Sequence, residues 1–319
     1  MASSDPLKLP ERTASNIAWL FPGQGAQEVG MGRDLWDSSP AARSVLETAD
    51  RVLGFSLSGV CFEGPEDKLR DTRITQPAIM AVSLAALAAA LECGALSARP
   101  AFVAGHSLGE YSALVAARAL ALEQGFRLIA ERARLMAEAG EQNPGTLAAI
   151  MGMEEPAVQA ICRDSDTDLC NLNLPEQTVV GGTRDAVEKA MALAKERGAR
   201  RSVELNVSGA FHSRLMKPAV AGLQAAVESA GIRSPVLPAV SNVTAKPLAG
   251  AAEVCEELPR QIVSPVRWHQ SVANMSAAGV TVFVEFGPGK VLTGLVRRLA
   301  PEATLANVST FEDASRLRL

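Results

Sequence analysis

Apolar residues recur along the chain in two patterns, short uninterrupted runs and longer runs at helical spacing. Short runs bounded by turn residues predict buried strands, here at 17–21, 101–104, 237–241 and 281–285. Helical patterns occupy most of the chain between these runs. The alternation of strands with helices therefore predicts an α/β fold.

The pattern changes between residues 144 and 206. It predicts, in order, strand 147–153, helix 155–164, strands 169–174 and 177–181, helix 185–197 and strand 201–207. A β-α-β-β-α-β order is that of a ferredoxin-like unit. We therefore expect residues 144–206 to form a small ferredoxin-like subdomain. It is inserted into a large α/β domain made of residues 17–143 and 207–319, and residues 1–16 form a flexible leader.

The longest apolar stretch, Ala78 to Leu91, is shorter than the roughly 20 residues that a bilayer-spanning helix needs. We expect a buried helix that starts after Pro77. Residues 1–16 lack the apolar core of a signal peptide. The sequence therefore predicts a protein that does not bind a membrane.

Charge and cysteine content narrow the class further. The net charge of −4, without a Lys/Arg cluster, argues against a nucleic-acid surface. The five cysteines are odd in number and form no C-x-x-C pair, which favours reduced thiols over disulfides or a metal site. We expect a cytoplasmic, monomeric enzyme with no metal.

The stretch from Ala101 to Tyr111 carries the strongest chemical signal. An apolar run passes directly into a G-x-S-x-G pentapeptide, residues 105–109, and then into a helical pattern. Strand, tight turn, serine and helix form the geometry of a nucleophile elbow, which would expose Ser107 at the end of the strand. The alternative is an ordinary strand-to-helix turn.

Two further glycine-rich turns follow strands. The turn at 22–27 fails the dinucleotide-binding spacing, because Glu28 stands where G-x-G-x-x-G needs glycine. Its backbone N–H groups could instead build an oxyanion hole, or the turn could be purely structural. The turn at 286–290 also fails the phosphate-loop pattern, and we interpret it as structural.

The sequence contains three histidines, so each can be weighed as a base for Ser107. His106 adjoins the serine, so its side chain should point away and pack. His269 stands on an amphipathic helical pattern, as a surface residue would. His212 enters a helix among small residues and is the best candidate base. No Asp or Glu stands in an obvious orienting position, so we predict a dyad in which a backbone carbonyl orients the histidine.

Arg132 differs from the other arginines of its helix. Arg127 and Arg134 have glutamates at i±3 or i±4, as a solvated charge ladder would, whereas the corresponding neighbours of Arg132 are apolar. Either its stem extends to water, or its guanidinium points into a pocket and binds a ligand carboxylate.

Several separated motifs follow one another in a fixed order: FPGQGAQ at 21–27, TQPA at 75–78, GHSLGEY at 105–111, the helix with Arg132, GAFHS at 209–213, Gln261 followed by SPVRW at 264–268, and FGPG at 286–289. In this order they resemble the malonyl-CoA:acyl carrier protein transacylase family over about residues 17–300. The resemblance implies an α/β-hydrolase-like large domain with a ferredoxin-like subdomain.

The resemblance also implies roles for individual residues. Ser107 would be the acylated serine, His212 the general base and Arg132 the group that binds the malonate carboxylate. The backbone carbonyl of Gln261 would orient the histidine. The remaining positions are the oxyanion-hole N–H groups of Gln24 and Leu108, and the pocket residues Gln76, Asn173 and Phe211, the last excluding a 2-methyl branch.

The activity that the resemblance implies is transfer of malonyl from malonyl-CoA to the phosphopantetheine thiol of an acyl carrier protein, through a malonyl-serine and without a cofactor. Two alternatives remain open: a serine acyl hydrolase of the same family and a noncatalytic carrier-docking module. The carrier protein could belong to fatty-acid or to polyketide synthesis.

Overall fold

The computed structural model describes residues 5–319. Its strands and helices fall into two sheets with helices packed around them. In chain order they are β1 (Ile17–Phe21), α1 (Arg33–Ser38), α2 (Pro40–Leu53), α3 (Leu57–Glu63), α4 (Glu66–Arg70), α5 (Thr72–Glu92), β2 (Phe102–Gly105), α6 (Gly109–Ala116), α7 (Leu122–Gln142), β3 (Thr146–Met151), α8 (Glu155–Ser165), β4 (Asp168–Leu174), β5 (Gln177–Gly182), α9 (Arg184–Glu196), β6 (Arg201–Glu204), α10 (Lys217–Ser229), α11 (Ala251–Gln261), α12 (Trp268–Ala277), β7 (Val282–Phe286), α13 (Val291–Leu299), β8 (Thr304–Val308) and α14 (Phe311–Arg316).

The larger sheet is parallel, in the order β2-β1-β7-β8. Every residue of β1 is buried, as expected for a central strand covered on both faces. Phe21 at the end of β1 lies opposite Gly105 at the end of β2. Because parallel strands share one carboxyl edge, the glycine-rich turn after β1 and the elbow after β2 meet there.

The smaller sheet is antiparallel, in the order β4-β5-β3-β6, and spans Thr146 to Glu204. Helices α8 and α9 pack together and bury one apolar face through Val158, Ile161, Val187 and Ala190. The predicted β-α-β-β-α-β order is confirmed. It is the connectivity and strand order of a ferredoxin-like unit.

Helix α5 is long and apolar enough to cross a membrane, but 89% of its most apolar window is buried inside the protein. The prediction of a buried helix is confirmed, whereas the predicted start after Pro77 is wrong. The helix begins at Thr72, where the Asp71 side chain accepts a hydrogen bond from the Arg73 N–H and caps the first turn.

The expected strand at 237–241 does not form. The run 237–241 makes a single parallel bridge, between Val103 and Ala239, because Pro238 has no N–H and the chain then bends back on itself at Val240. Within residues 5–16, Leu7 is 2% exposed and Asp5 forms an ion pair with Arg118, while most of the other side chains are exposed, so the flexible leader stays a prediction. Residues 1–4 of the predicted leader lie outside the described residues.

Candidate active site

The turn between β2 and α6 holds Ser107 in a left-handed conformation, with a φ of 54°. The two glycines of this turn are necessary, because neighbouring backbone atoms leave no room for a Cβ at either position. A Cβ on Gly109 would lie 2.1 Å from the Phe21 carbonyl oxygen, and one on Gly105 would lie 1.9 Å from the Gly109 carbonyl carbon. The strained serine, together with the strand before it and the helix after it, forms a nucleophile elbow.

Asn242 clamps the elbow from the neighbouring loop. Its Oδ1 accepts a 2.7 Å hydrogen bond from the Ser107 N–H, and its Nδ2 donates one of 2.7 Å to the Gly105 carbonyl. Sequence reasoning missed this residue. The available signal was its place directly after the apolar run 237–241, which ends at the same edge of the sheet as β2.

Ser107 and His212 form a hydrogen-bonded pair, with 2.7 Å between Oγ and Nε2. On the other side of the ring, Nδ1 lies 2.8 Å from the backbone carbonyl oxygen of Gln261. A carbonyl oxygen can only accept, so Nδ1 carries the proton and Nε2 is free to accept one from the serine. Within residues 5–319 no Asp or Glu hydrogen-bonds this ring.

The environment keeps the His212 imidazole neutral. Its side chain is buried, and its backbone also has a positive φ, 64°. Burial first, and then the positive charge of Arg132, lower the pKa of His212 to about 3. The ring is therefore in its basic form at neutral pH, as a general base requires.

Arg132 is buried in the same place, with 1% of its surface exposed. Its Nη1 donates to Gln76 Oε1 at 2.5 Å, and its Nη2 donates to Gln261 Oε1 at 2.8 Å and to Ser107 Oγ at 3.0 Å. Among the described ion pairs none involves Arg132. Of the two alternatives for its side chain, extension to water is wrong.

A cavity of about 470 Å³ opens in front of this group. Its walls include the following residues from the predicted site: Ser107, His212, Arg132, Gln24, Leu108, Gln76 and Phe211. The backbone N–H groups of Gln24 and Leu108 donate to no acceptor within the described chain. Their role as an oxyanion hole stays a prediction.

The predicted pocket residue Asn173 is not part of the cavity wall. Strand β4 has a bulge beside Leu172, and Asn171 lines the cavity instead. The Asn173 Oδ1 lies 2.9 Å from Nε2 of His106, whose ring packs 5.7 Å from that of Trp268. His106 thus packs as expected, but it also reaches the cavity.

His269 is not the surface residue that was expected. Its side chain is 19% exposed, and its Nε2 lies 3.9 Å from a carboxylate oxygen of Glu155 in the smaller subdomain. Helix α12 packs against β4, which covers this side of the helix. His269 therefore belongs to the contact between the two subdomains.

An α/β fold with a serine-histidine pair at a nucleophile elbow, beside a buried arginine, defines the class of acyl-transfer proteins. The chain belongs to the acyl transferase domain family, whose sequence model matches residues 18–314. The motif-based resemblance ended near residue 300, which was too early, because β8 completes the parallel sheet.

Curated sequences and solved structures of relatives agree with membership of this family. The malonyl CoA-acyl carrier protein transacylase of Bacillus subtilis is 44% identical over 89% of this chain and 90% of its own. The structure of the corresponding protein from Coxiella burnetii has a TM-score of 0.91 at 32% identity, covering 98% of this chain and 100% of that one. A solved complex of a type II PKS acyl-carrier protein with its malonyl-transacylase has a TM-score of 0.90 at 37% identity, covering 94% of this chain and 97% of that one.

Proposed function

We propose that this protein transfers a malonyl group from malonyl-CoA to the phosphopantetheine thiol of an acyl carrier protein. The curated relatives carry the name of this activity at 36–44% identity over most of the chain. The single observation that favours malonyl over neutral acyl groups is Arg132, a buried guanidinium that touches Ser107 Oγ and has no carboxylate partner.

In the first half-reaction the Nε2 of His212 takes the proton from Ser107 Oγ, and Oγ attacks the malonyl thioester carbonyl. The N–H groups of Gln24 and Leu108 stabilise the negative oxygen of the tetrahedral intermediate. The C–S bond then breaks, and the leaving CoA sulfur takes the proton from His212. Malonyl remains as an ester on the serine, with its free carboxylate on Arg132.

The second half-reaction runs the same steps in reverse with a different thiol. His212 takes the proton of the carrier's phosphopantetheine thiol, and the sulfur attacks the ester carbonyl. The ester C–O bond breaks, Ser107 Oγ recovers the proton, and malonyl leaves as the carrier thioester. This order of steps predicts ping-pong kinetics, and it needs only groups of the chain and the two thiols, so we expect no cofactor.

We further expect the protein to act in the cytoplasm as a monomer, with a carrier protein of fatty-acid or polyketide synthesis as acceptor. Light scattering of the purified protein tests the oligomeric state. A mass at or near that of one chain is expected, and a dimer at working concentrations would contradict it.

A comparison of transfer with hydrolysis tests the proposed activity. The purified protein is mixed with malonyl-CoA, with and without a holo-carrier protein, and malonyl-carrier and free malonate are quantified by mass spectrometry. We expect the carrier thioester to dominate and Ser107→Ala to abolish it. Release of free malonate at the same rate with and without carrier would identify a hydrolase instead.

A further inference from the structure

The side-chain amide of Gln261 joins three parts of the site. Its Oε1 accepts from Arg132 Nη2, and its Nε2 donates to the Ser107 backbone carbonyl at 3.0 Å. The second Nε2 hydrogen goes to Glu110 Oε2 at 2.5 Å. Because the backbone carbonyl of the same residue holds His212, displacement of Gln261 would disturb both sides of the site.

Glu110 lies in the first turn of α6, and none of its surface is exposed. The carboxyl group of Glu257, on α11, lies near enough for its charge to act on Glu110. Glu257 is itself 3% exposed and accepts a 3.0 Å hydrogen bond from the Val243 N–H. A second carboxyl group nearby disfavours the charged form of Glu110.

The surroundings of Glu110 favour its uncharged form. Burial first, and then the charge of Glu257, raise the pKa of Glu110 well above its usual value. Its Oε2 accepts from Gln261, while its Oε1 makes no other hydrogen bond in the described chain. Oε2 can accept the hydrogen bond from Gln261 in either protonation state of the carboxyl group.

This arrangement fixes which way the Gln261 amide points. An amide has a donor end and an acceptor end, and both orientations fit the same space. Two acceptors, the Ser107 carbonyl and Glu110 Oε2, require the NH₂ end to face them. The oxygen must then face Arg132, whose guanidinium only donates.

We propose that Glu110 is a positioning residue that acts through the Gln261 side chain to hold the Arg132 guanidinium in place for the acyl donor's carboxylate. This inference rests on the proposed malonyl transfer. It adds that the hydrogen bond accepted by Glu110 from Gln261, rather than the charge of Glu110, does the positioning.

Paired substitutions test the proposal through the ratio of kcat/KM for malonyl-CoA to that for acetyl-CoA. Glu110→Leu removes the acceptor, and we expect KM for malonyl-CoA to rise and the ratio to fall about tenfold, the effect of one lost hydrogen bond to a charged group. Glu110→Gln keeps an acceptor for Gln261, so it should stay within about threefold of the wild type.

A control variant and a second test variant separate a positioning role from a loss of stability. Glu285 is an equally buried acid that caps α13, away from the cavity, and Glu285→Gln should leave the ratio unchanged. Gln261→Met keeps the backbone carbonyl that holds His212 but removes the amide. It should lower the ratio as Glu110→Leu does, and it replaces that variant if the leucine prevents folding.

An unchanged ratio in Glu110→Leu or Gln261→Met would overturn the proposal. Equal losses in Glu110→Gln and Glu110→Leu would also overturn it, because they would show that the charge is needed. A wild-type protein that transfers no malonyl would instead refute the proposed function, which is a different result from either of these.

Discussion

Replacement of Arg132 by alanine should change the choice of acyl donor more than it changes the rate of acyl transfer. The guanidinium is buried, donates to Ser107 Oγ, Gln76 and Gln261, and has no carboxylate partner of its own. A malonyl group would bring that carboxylate, whereas an acetyl group would leave the cation unpaired.

The magnitude follows from the burial of the site. A hydrogen bond to a charged group contributes about 1.5–3 kcal/mol, and at 1% exposure little water is present to screen it. We therefore take the upper end, about 3 kcal/mol, which is more than a hundredfold in rate at ~1.4 kcal/mol per decade. The contact with Ser107 Oγ is lost for both donors and cancels in the ratio.

The assay measures kcat/KM with malonyl-CoA and with acetyl-CoA for the wild type and Arg132→Ala. We expect malonyl transfer to fall more than a hundredfold further than acetyl transfer. Arg134→Ala is the matched control, because that side chain lies on the same helix but is exposed and paired with Glu131 and Glu138. Equal losses with both donors would refute the assignment of Arg132 to the carboxylate.

Other changes test the elbow and the histidine. Gly109→Ala should abolish soluble, active protein, because its Cβ would lie 2.1 Å from a carbonyl oxygen. The control Gly294→Ala, whose Cβ would have nothing within 4 Å, should raise the free energy of unfolding by about 0.5–1 kcal/mol. An active Gly109→Ala protein would contradict the close packing at the elbow. Asn242→Ala leaves the buried Ser107 N–H and the buried Gly105 carbonyl without a hydrogen-bond partner, so it should lower the free energy of unfolding by about 2–4 kcal/mol in urea denaturation. No change would show that these two hydrogen bonds do not stabilise the elbow. His212 has a folded pKa of about 3 against an unfolded one of about 6.5, so the unfolded state binds the proton first and stability falls as pH falls through that window. His212→Gln should flatten the stability profile between pH 6.5 and 4, and an unchanged slope would show that the histidine does not contribute.

Local patterns were sufficient to predict the elbow and the smaller subdomain. Ser107 was found because its strand, turn and helix are consecutive in the chain, and the β-α-β-β-α-β order could be read from successive short runs. His212 was found because the sequence offers few histidines to choose from. Arg132 was singled out by apolar neighbours at helical spacing, which place a side chain against the core.

Contacts between distant residues could not be predicted. Asn242 meets Ser107 across 135 residues of chain, and Gln261 meets Glu110 across 151. In the sequence, Glu110 looks like an ordinary first-turn acid at a helix N-terminus. Only the approach of α6 to the end of α11, where Gln261 lies, turns it into a buried partner of the site.

Tertiary structure also decided which apolar runs form strands. Strand β8, with only one fully buried residue, carries little hydrophobic signal and forms because the edge of β7 is available for pairing. The apolar run 237–241 has the composition of a strand but forms only isolated bridges, from Ala239 to Val103 and from Val240 to Pro247.

The most direct test of the account is the covalent intermediate on Ser107. The protein is exposed briefly to malonyl-CoA without carrier, quenched in acid, digested and analysed by mass spectrometry. We predict a malonyl mass on the peptide that contains Ser107, its absence in Ser107→Ala, and its loss when holo-carrier protein is added before the quench. A Ser107 peptide without malonyl, under conditions in which the enzyme turns over, would contradict the central claim.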